Sequence, residues 1–262
     1  MIDATARVDP AARIAEGVSI GPYCIIGPNV AVAENCTLIA HVHVTGHTTI
    51  GARTVIYPFT SLGTPPQSVH YHGEPTRLEI GADCDIREGV TMNIGTTARG
   101  VTTIGERCFL MANSHVAHDC IVGSDVTFAN NAVLGGHCEV ADFVFFGGQC
   151  AVHQFTRIGE SAMIGGLSGV VGDVLPFALV RHCPSRIGGV NAVGMKRRGY
   201  TRADMHAVRT AMHMLFDSAQ PDFAARIATI EARFAASEAV RKVLAFVRDS
   251  QPDSLCPLRR QG

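Results

Sequence analysis

The chain has 262 residues, with 22 Lys or Arg against 23 Asp or Glu and a formal charge of −1. That balance excludes a polycation that finds nucleic acid by bulk charge. No basic, then apolar, then small-residue leader follows Met1-Ile2-Asp3, and no apolar run is long enough to cross a bilayer, so a cytoplasmic protein without a membrane span is expected.

From Val8 onward a large apolar side chain returns every sixth residue: Ile14, Ile20, Ile26, Val32, Leu38, Val44, Ile50, Ile56 and Leu62. The beat resumes at Ile80, Ile86 and Met92, and again from Ile104 through Leu110, Val116, Val122, Phe128, Leu134, Val140, Phe146, Val152, Ile158 and Ile164 to Val170. Four residues after each aliphatic stands a small or β-branched residue, such as Val18, Cys24, Thr48, Cys108, Ser114, Ala132 or Ala162. Positions four and six of the cycle face the same way along an extended chain, so each hexad is a short strand plus a turn. Glycine after the aliphatic, as at Gly51, Gly81, Gly105 and Gly123, is expected to supply the corner where a Cβ would be costly.

Three hexads per turn build a triangular prism filled with alternating aliphatic and small layers, a parallel β-solenoid. Each fully buried aliphatic is worth roughly 1.5–3 kcal/mol, so the ladder stands without a two-layer core. The period itself says nothing about the hand of the coil. Of the nine cysteines, Cys24, Cys36, Cys84, Cys108, Cys120, Cys138 and Cys150 fall on the small inward position and read as packing residues. Only Cys183 and Cys256 lie outside the ladder.

Two excursions interrupt the prism, 64–77 and 96–103, and loops that leave a rigid scaffold commonly carry binding residues. Beyond Val170 the repeat fades, and residues 1–185 are read as the β-helix and 186–262 as a helical domain. Thr201-Arg202-Ala203-Asp204 starts one helix, Pro221-Asp222 opens a second, and a third follows Ser237. The last dozen residues are expected to be loose.

None of the twelve histidines falls on an inward position. His115 precedes Val116 on an outward strand position, while His118, His137 and His153 fall at or near corners. From His118 to His137 is nineteen residues and from His137 to His153 sixteen, so the three are expected to stack along one edge as a reaction site.

The hexads, the loop Gly73-Glu74-Pro75-Thr76-Arg77, and the stretches Ser114-His115-Val116-Ala117-His118-Asp119-Cys120, Ala151-Val152-His153-Gln154-Phe155 and Gly194-Met195-Lys196-Arg197-Arg198-Gly199 carry a resemblance. Nearly end to end, the chain resembles the UDP-N-acetylglucosamine acyltransferases of lipid A biosynthesis. The resemblance implies a left-handed parallel β-helix, an exception to right-handed crossover, and a homotrimer with sites between neighbouring prisms. It also implies transfer of an R-3-hydroxyacyl chain from acyl carrier protein to the 3-hydroxyl of UDP-N-acetylglucosamine. His118 matches the general base, Asp119 the carboxylate that supports its imidazolium, and Gly136 the backbone N–H that binds the oxyanion. Neither metal, cofactor nor covalent acyl-enzyme is implied.

By the same resemblance, Gln67, His115, His137, His153, Gln154, Asn191, Arg197 and Arg198 match positions near the nucleotide sugar or the acyl chain, and Gly166 the position that gates the acyl pocket. The basic strip Lys196 to Arg198 also suits an acidic carrier protein. Ser68, His70 and Asn93 stand at binding positions where the family often has Asp, Lys and His, and Arg181-His182-Cys183-Pro184-Ser185 departs from its Gly-Asn-His pattern. His70 is only partly charged at neutral pH, unlike Lys. These departures admit an acceptor with a 3-amine in place of the 3-hydroxyl. Two readings from other classes compete: a zinc-dependent carbonic anhydrase on the same solenoid, and a non-catalytic scaffold.

Overall fold

The computed structural model describes residues 1–217, 219, 222–250 and 252–259. Short strands, most of them two residues long, wind into three sheets of nine, eight and ten strands. Successive strands fall on the first, second and third faces of a prism in turn. Away from the two excursions and the last coil, partners stand 18 residues apart, as in the register His115 to Val133 to Ala151. Every pairing is parallel except the last, where Arg186–Val190 runs antiparallel to Ala178–Arg181 and closes the third face. This sheet therefore continues past residue 185.

The two residue classes of the hexad fill the interior. Ile50, Ile56, Leu62, Ile86, Leu110, Val116 and Phe146 are fully buried, and so are Cys36, Thr48, Thr54, Ser114, Cys120 and Ala132 between them. Phe128 and Phe146 stack in adjacent coils with ring centroids 4.6 Å apart. The inward thiols also meet corner carbonyls: Cys36 Sγ donates to Gly51 O at 3.1 Å, and Cys108 and Cys120 to Gly123 O and Gly135 O at 3.2 Å. The seven ladder cysteines and Cys256 are buried, whereas Cys183 is exposed.

The corners work differently from the expectation. Gly51, Gly81, Gly105 and Gly123 after the aliphatic do not take the left-handed conformation, although Gly63 does (φ 77°); it is adopted instead by the third residue after the aliphatic, among them Asp83 (φ 59°), Arg107 (53°), Asp119 (59°) and His137 (63°). The glycines serve close approach between coils instead. A Cβ on Gly51 would stand 2.4 Å from Gly81 C, and one on Gly105 2.5 Å from Gly123 C.

Both excursions leave at the edge between the first and second faces. The first lies between the strands Ser61–Thr64 and Arg77–Ile80. The second lies between Thr91–Asn93 and Val101–Ile104. It is shorter than 96–103, because Val101–Ile104 already pairs with Arg77–Ile80. The pairs Ser61 with Thr91 and Thr91 with His115 carry the first face across both loops.

Among the described residues four α-helices follow the solenoid: α1 (Ala192–Arg197), α2 (Arg202–Leu215), α3 (Phe223–Arg233) and α4 (Glu238–Arg248). Thr201 caps α2 in a capping box with Asp204, and Ser237 caps α4 through Val240 N. Asp222 caps α3, while Pro221 lies outside the described residues. The short α1 has no counterpart in the sequence reading. Val208, Ala211 and Met212 of α2 are buried with Val240, Val243 and Leu244 of α4. Helices and prism are tied by Lys242 to Glu160 at 2.8 Å and by Arg157 Nη1 to Asp249 O at 2.9 Å. Residues 252–259 are not loose: Leu255 bridges to Asp173 and Leu258 to Ile187, which buries Leu255 and Cys256. No helix among the described residues is long and apolar enough to cross a membrane.

Because its ring is fully buried and stacked, Phe128→Ala is expected to destabilise the fold by about 3–5 kcal/mol, read as a lower denaturant midpoint.

Candidate active site

The edge between the first and second faces repeats as three corners, 117–120, 135–138 and 153–156. Two columns run along it. His118, Gly136 and Gln154 occupy one, and the left-handed residues Asp119, His137 and Phe155 (φ 59°, 63° and 64°) occupy the other. Asp and His tolerate this conformation better than most residues with a Cβ. Asp119, contacted by Thr96 and His118, is fully buried, whereas Phe155 at the equivalent corner is exposed.

His118 Nδ1 lies 2.8 Å from Asp119 Oδ2. Asp119 Oδ1 accepts from Thr96 N at 2.9 Å and Oδ2 from the Thr96 hydroxyl at 2.7 Å, while Asp119 N donates to Thr102 Oγ1 at 2.9 Å. Burial opposes ionisation of Asp119, but the Thr96 hydroxyl, His118 and the Thr96 amide, with His137 nearby, outweigh it and hold the carboxyl below its ordinary range. An ionised carboxylate only accepts, so Nδ1 of His118 carries the proton of this contact, and in the neutral ring the lone pair is on Nε2. His137 meets the His118 ring edge-on at 5.0 Å and lies flat on Phe155 at 4.4 Å. Its Nε2 is 3.8 Å from Asp119 Oδ2, too far for a hydrogen bond. Burial pushes both His137 and His115 below the ordinary imidazole value and so disfavours their charged forms.

The His118 ring lies against the backbone of Gly136. A Cβ there would stand 2.6 Å from His118 Cε1 and 2.8 Å from Nε2. Among the described residues no carbonyl accepts from the Gly136 N–H, which holds equally for the corresponding corner residues His118 and Gln154.

The expected site residues separate into groups. Gln67, Asn93, His115, His118, Gly136 and Gln154 line one groove of about 390 Å³ on the first face. Asn93 is fixed by its amide Nδ2, which donates to Thr64 Oγ1 and Pro65 O at 3.0 Å. His115 Nδ1 is 2.8 Å from Thr91 Oγ1. His137 opens on the other side of the edge, in a hollow of about 240 Å³ with Arg99, Glu139, Phe155 and Arg157. His153 does not join the imidazoles: it is exposed, with Nδ1 3.1 Å from Gln154 O, because its position is in register with Ala117 and Gly135 rather than with His118 or His137. Ser68 and His70 sit in the first excursion outside the groove, where the Ser68 hydroxyl accepts from His70 N.

The remaining residues stand on other edges. Gly166 is at the corner between the third and first faces. Asn191 and Arg198 are at the edge between the second and third, where Asn191 caps α1 and donates to Ser161 O at 2.9 Å. Arg198 Nε donates to Ser161 Oγ at 2.7 Å, with its guanidinium 3.6 Å over the Phe143 ring. Arg197, the last residue of α1, is exposed. The sequence reading missed Thr96 and Arg99. Arg99 bonds Glu139 at 2.6 Å, and both residues come from the second excursion.

His118, Asp119 and His137 also offer ligand atoms within 4.8 Å of one another, the one such cluster among the described residues. Asp119 Oδ2 already meets both the Thr96 hydroxyl and His118, so a metal ion taking that oxygen would have to displace one of them.

A six-residue solenoid with a histidine–carboxylate pair on its edge defines a hexapeptide-repeat transferase. The family model for bacterial transferase hexapeptides matches residues 102–136, and the one for UDP-N-acetylglucosamine O-acyltransferase domain 2 matches residues 173–256. The acyl-[acyl-carrier-protein]–UDP-N-acetylglucosamine O-acyltransferase of Azorhizobium caulinodans is 53% identical over 98% of this chain and 94% of its own. The crystal structure of the UDP-N-acetylglucosamine O-acyltransferase of Moraxella catarrhalis superposes with a TM-score of 0.92 at 36% identity, covering 99% of each chain. That of the Bacteroides fragilis UDP-N-acetylglucosamine acyltransferase gives 0.93 at 30%, covering 99% of this chain and 100% of the other. The chain belongs to the UDP-N-acetylglucosamine O-acyltransferase family.

Two consequences follow for variants. Gly136→Ala is expected to push the His118 ring off the corner and lower kcat about a hundredfold or more with the fold intact, measured by steady-state kinetics and circular dichroism. Because the folded value of Asp119 lies below the ordinary 3.8, its contribution to stability is full above that pH and is lost as pH falls through the depressed value. Asp119→Asn is therefore expected to be less stable than the parent at pH 7, with the gap closing below about pH 3.8 in denaturation curves.

Proposed function

We propose that this protein transfers an R-3-hydroxyacyl chain from acyl carrier protein to the 3-hydroxyl of UDP-N-acetylglucosamine, in the cytoplasm and as a homotrimer. The observation that carries the mechanism is the 2.8 Å contact between His118 Nδ1 and the buried Asp119 carboxylate, beside a groove lined by polar side chains. A sugar hydroxyl is a poor nucleophile at neutral pH and needs a base as it attacks. His118 Nε2 takes the hydroxyl proton while the oxygen adds to the thioester carbon. Asp119 supports the imidazolium that forms, and the Gly136 N–H faces the tetrahedral oxyanion. Collapse breaks the carbon–sulfur bond, and the proton passes from His118 to the departing sulfur. The products are an ester and the free carrier thiol.

The groove residues, Gly166 and the Asn191–Arg198 group lie on three different edges of one prism. Packing prisms around a threefold axis brings edges of neighbours together, and this supports a site completed between subunits. The exposed Arg197 is available to a carrier protein there. Gln67, Ser68, His70, Asn93, His115, His137, His153 and Gln154 are assigned to substrate contact on the same reading. The relatives are named for O-acylation, which leaves the 3-amine alternative without support.

Purified protein is offered hydroxyacyl carrier proteins of several lengths, with UDP-N-acetylglucosamine or its 3-amino analogue, and the product mass is read. An O-linked ester is expected, with turnover unchanged by chelators; loss on chelation with recovery on zinc would favour the metal reading instead. Gly166 lacks a side chain at the proposed gate, so Gly166→Met is expected to shorten the preferred acyl chain in the same assay. Unchanged length preference would remove Gly166 from that role.

A further inference from the structure

The carboxylate of Asp119 has two candidate imidazole partners, His118 at 2.8 Å and His137 at 3.8 Å, both converging on Oδ2. A carboxylate free to turn about its own axis would swap oxygens and exchange partners. Thr96 prevents this. Its amide holds Oδ1 at 2.9 Å while its hydroxyl holds Oδ2 at 2.7 Å, so one residue grips both oxygens and fixes the plane. The direction of the hydroxyl proton is also set: Thr96 Oγ1 accepts from Ala98 N at 3.2 Å, which leaves its own proton for Oδ2.

Thr96 is itself anchored by the edge. The Thr76 hydroxyl, at the end of the first excursion, donates to Gly95 O at 2.5 Å, and Gly95 N donates to Arg77 O at 3.1 Å. Gly100 N closes the turn onto Thr96 O at 2.7 Å, and Arg99 holds the far end of the loop to Glu139. The two excursions thus form one relay from Thr76 through Gly95 and Thr96 to Asp119 and His118.

We propose that Thr96 is a positioning residue for the acyl transfer: by clamping the Asp119 carboxylate it holds His118 in the tautomer protonated on Nδ1, with Nε2 bare toward the groove. The proposal rests on the reading of His118 as the base. Thr96→Val keeps the branched shape and the amide but removes the hydroxyl; Thr96→Ser keeps the hydroxyl. A hydrogen bond to a charged group is worth about ten- to a hundredfold in rate when it acts in the transition state, so Thr96→Val is expected to lose that much kcat with KM nearly unchanged. Thr96→Ser is expected to retain most of the parent activity.

The readout that a merely structural role would not move is the ¹⁵N imidazole spectrum of His118, assigned by its loss in His118→Gln. The parent and Thr96→Ser are expected to show a single tautomer protonated on Nδ1. Thr96→Val, and Thr96→Ala measured beside it in case the valine is poorly accommodated, are expected to show mixed tautomers. A parent spectrum protonated on Nε2, an unchanged tautomer in Thr96→Val or Thr96→Ala, or equal losses of kcat in the serine and valine variants would overturn the proposal. A parent with the expected tautomer but no acyl transfer would instead count against the function and leave the clamp standing.

Discussion

Everything in this molecule depends on the vertical register of one coil upon the next. With partners 18 residues apart, a residue at a given corner lies directly above its equivalent, and the backbone approach is close enough that a Cβ on Gly81 would stand 2.6 Å from Gly105 C. The alternating layers of larger and smaller side chains inside are closely packed and hold that spacing. The edge therefore acts as a rigid ruler for chemistry. It sets His118 over Gly136 and Asp119 over His137 through the stacking of the coils alone.

The same register explains how the excursions are tolerated. Both leave and re-enter at a single edge, so the order of faces survives, with Ser61 paired to Thr91 and Thr91 to His115. Their position also delivers Thr96 to a carboxylate that would otherwise be buried without enough partners. A buried charge is costly unless its oxygens are satisfied, and Asp119 is satisfied from three directions. The histidine–carboxylate pair and the loop are consequently one unit. Within the chain the second groove across the edge, with His137 stacked on Phe155, borders that unit.

Much of this is legible in the sequence because a six-residue period reports directly on which side chains point inward. The cysteines are sorted correctly, and the starts of α2 and α4 follow from Thr201 and Ser237. Local signals give less where contacts are distant. The hydrogen bonds of Thr96 to Asp119 span 23 residues and cross between coils, and nothing in the hexad marks them. The antiparallel closure by Arg186–Val190 and the docking of Leu255 and Leu258 likewise depend on partners far along the chain. Spacings of nineteen and sixteen residues between the histidines predict a column of three. Only residues 18 apart align, so His118 and His137 become neighbours through adjacent corner positions while His153 turns outward. The glycine rule fails in its reason more than in its positions: at Gly51, Gly81 and Gly105 the short distance is between coils, and the left-handed turn belongs to Arg53, Asp83 and Arg107 two places on.

The central claim is that this edge exists to take a proton from a sugar hydroxyl through His118. The most direct measurement is turnover of His118→Ala, with and without added imidazole, in protein whose assembly and melting match the parent. The account predicts loss of most turnover and partial recovery that grows with the concentration of neutral imidazole. Parent-like turnover in the variant would contradict it.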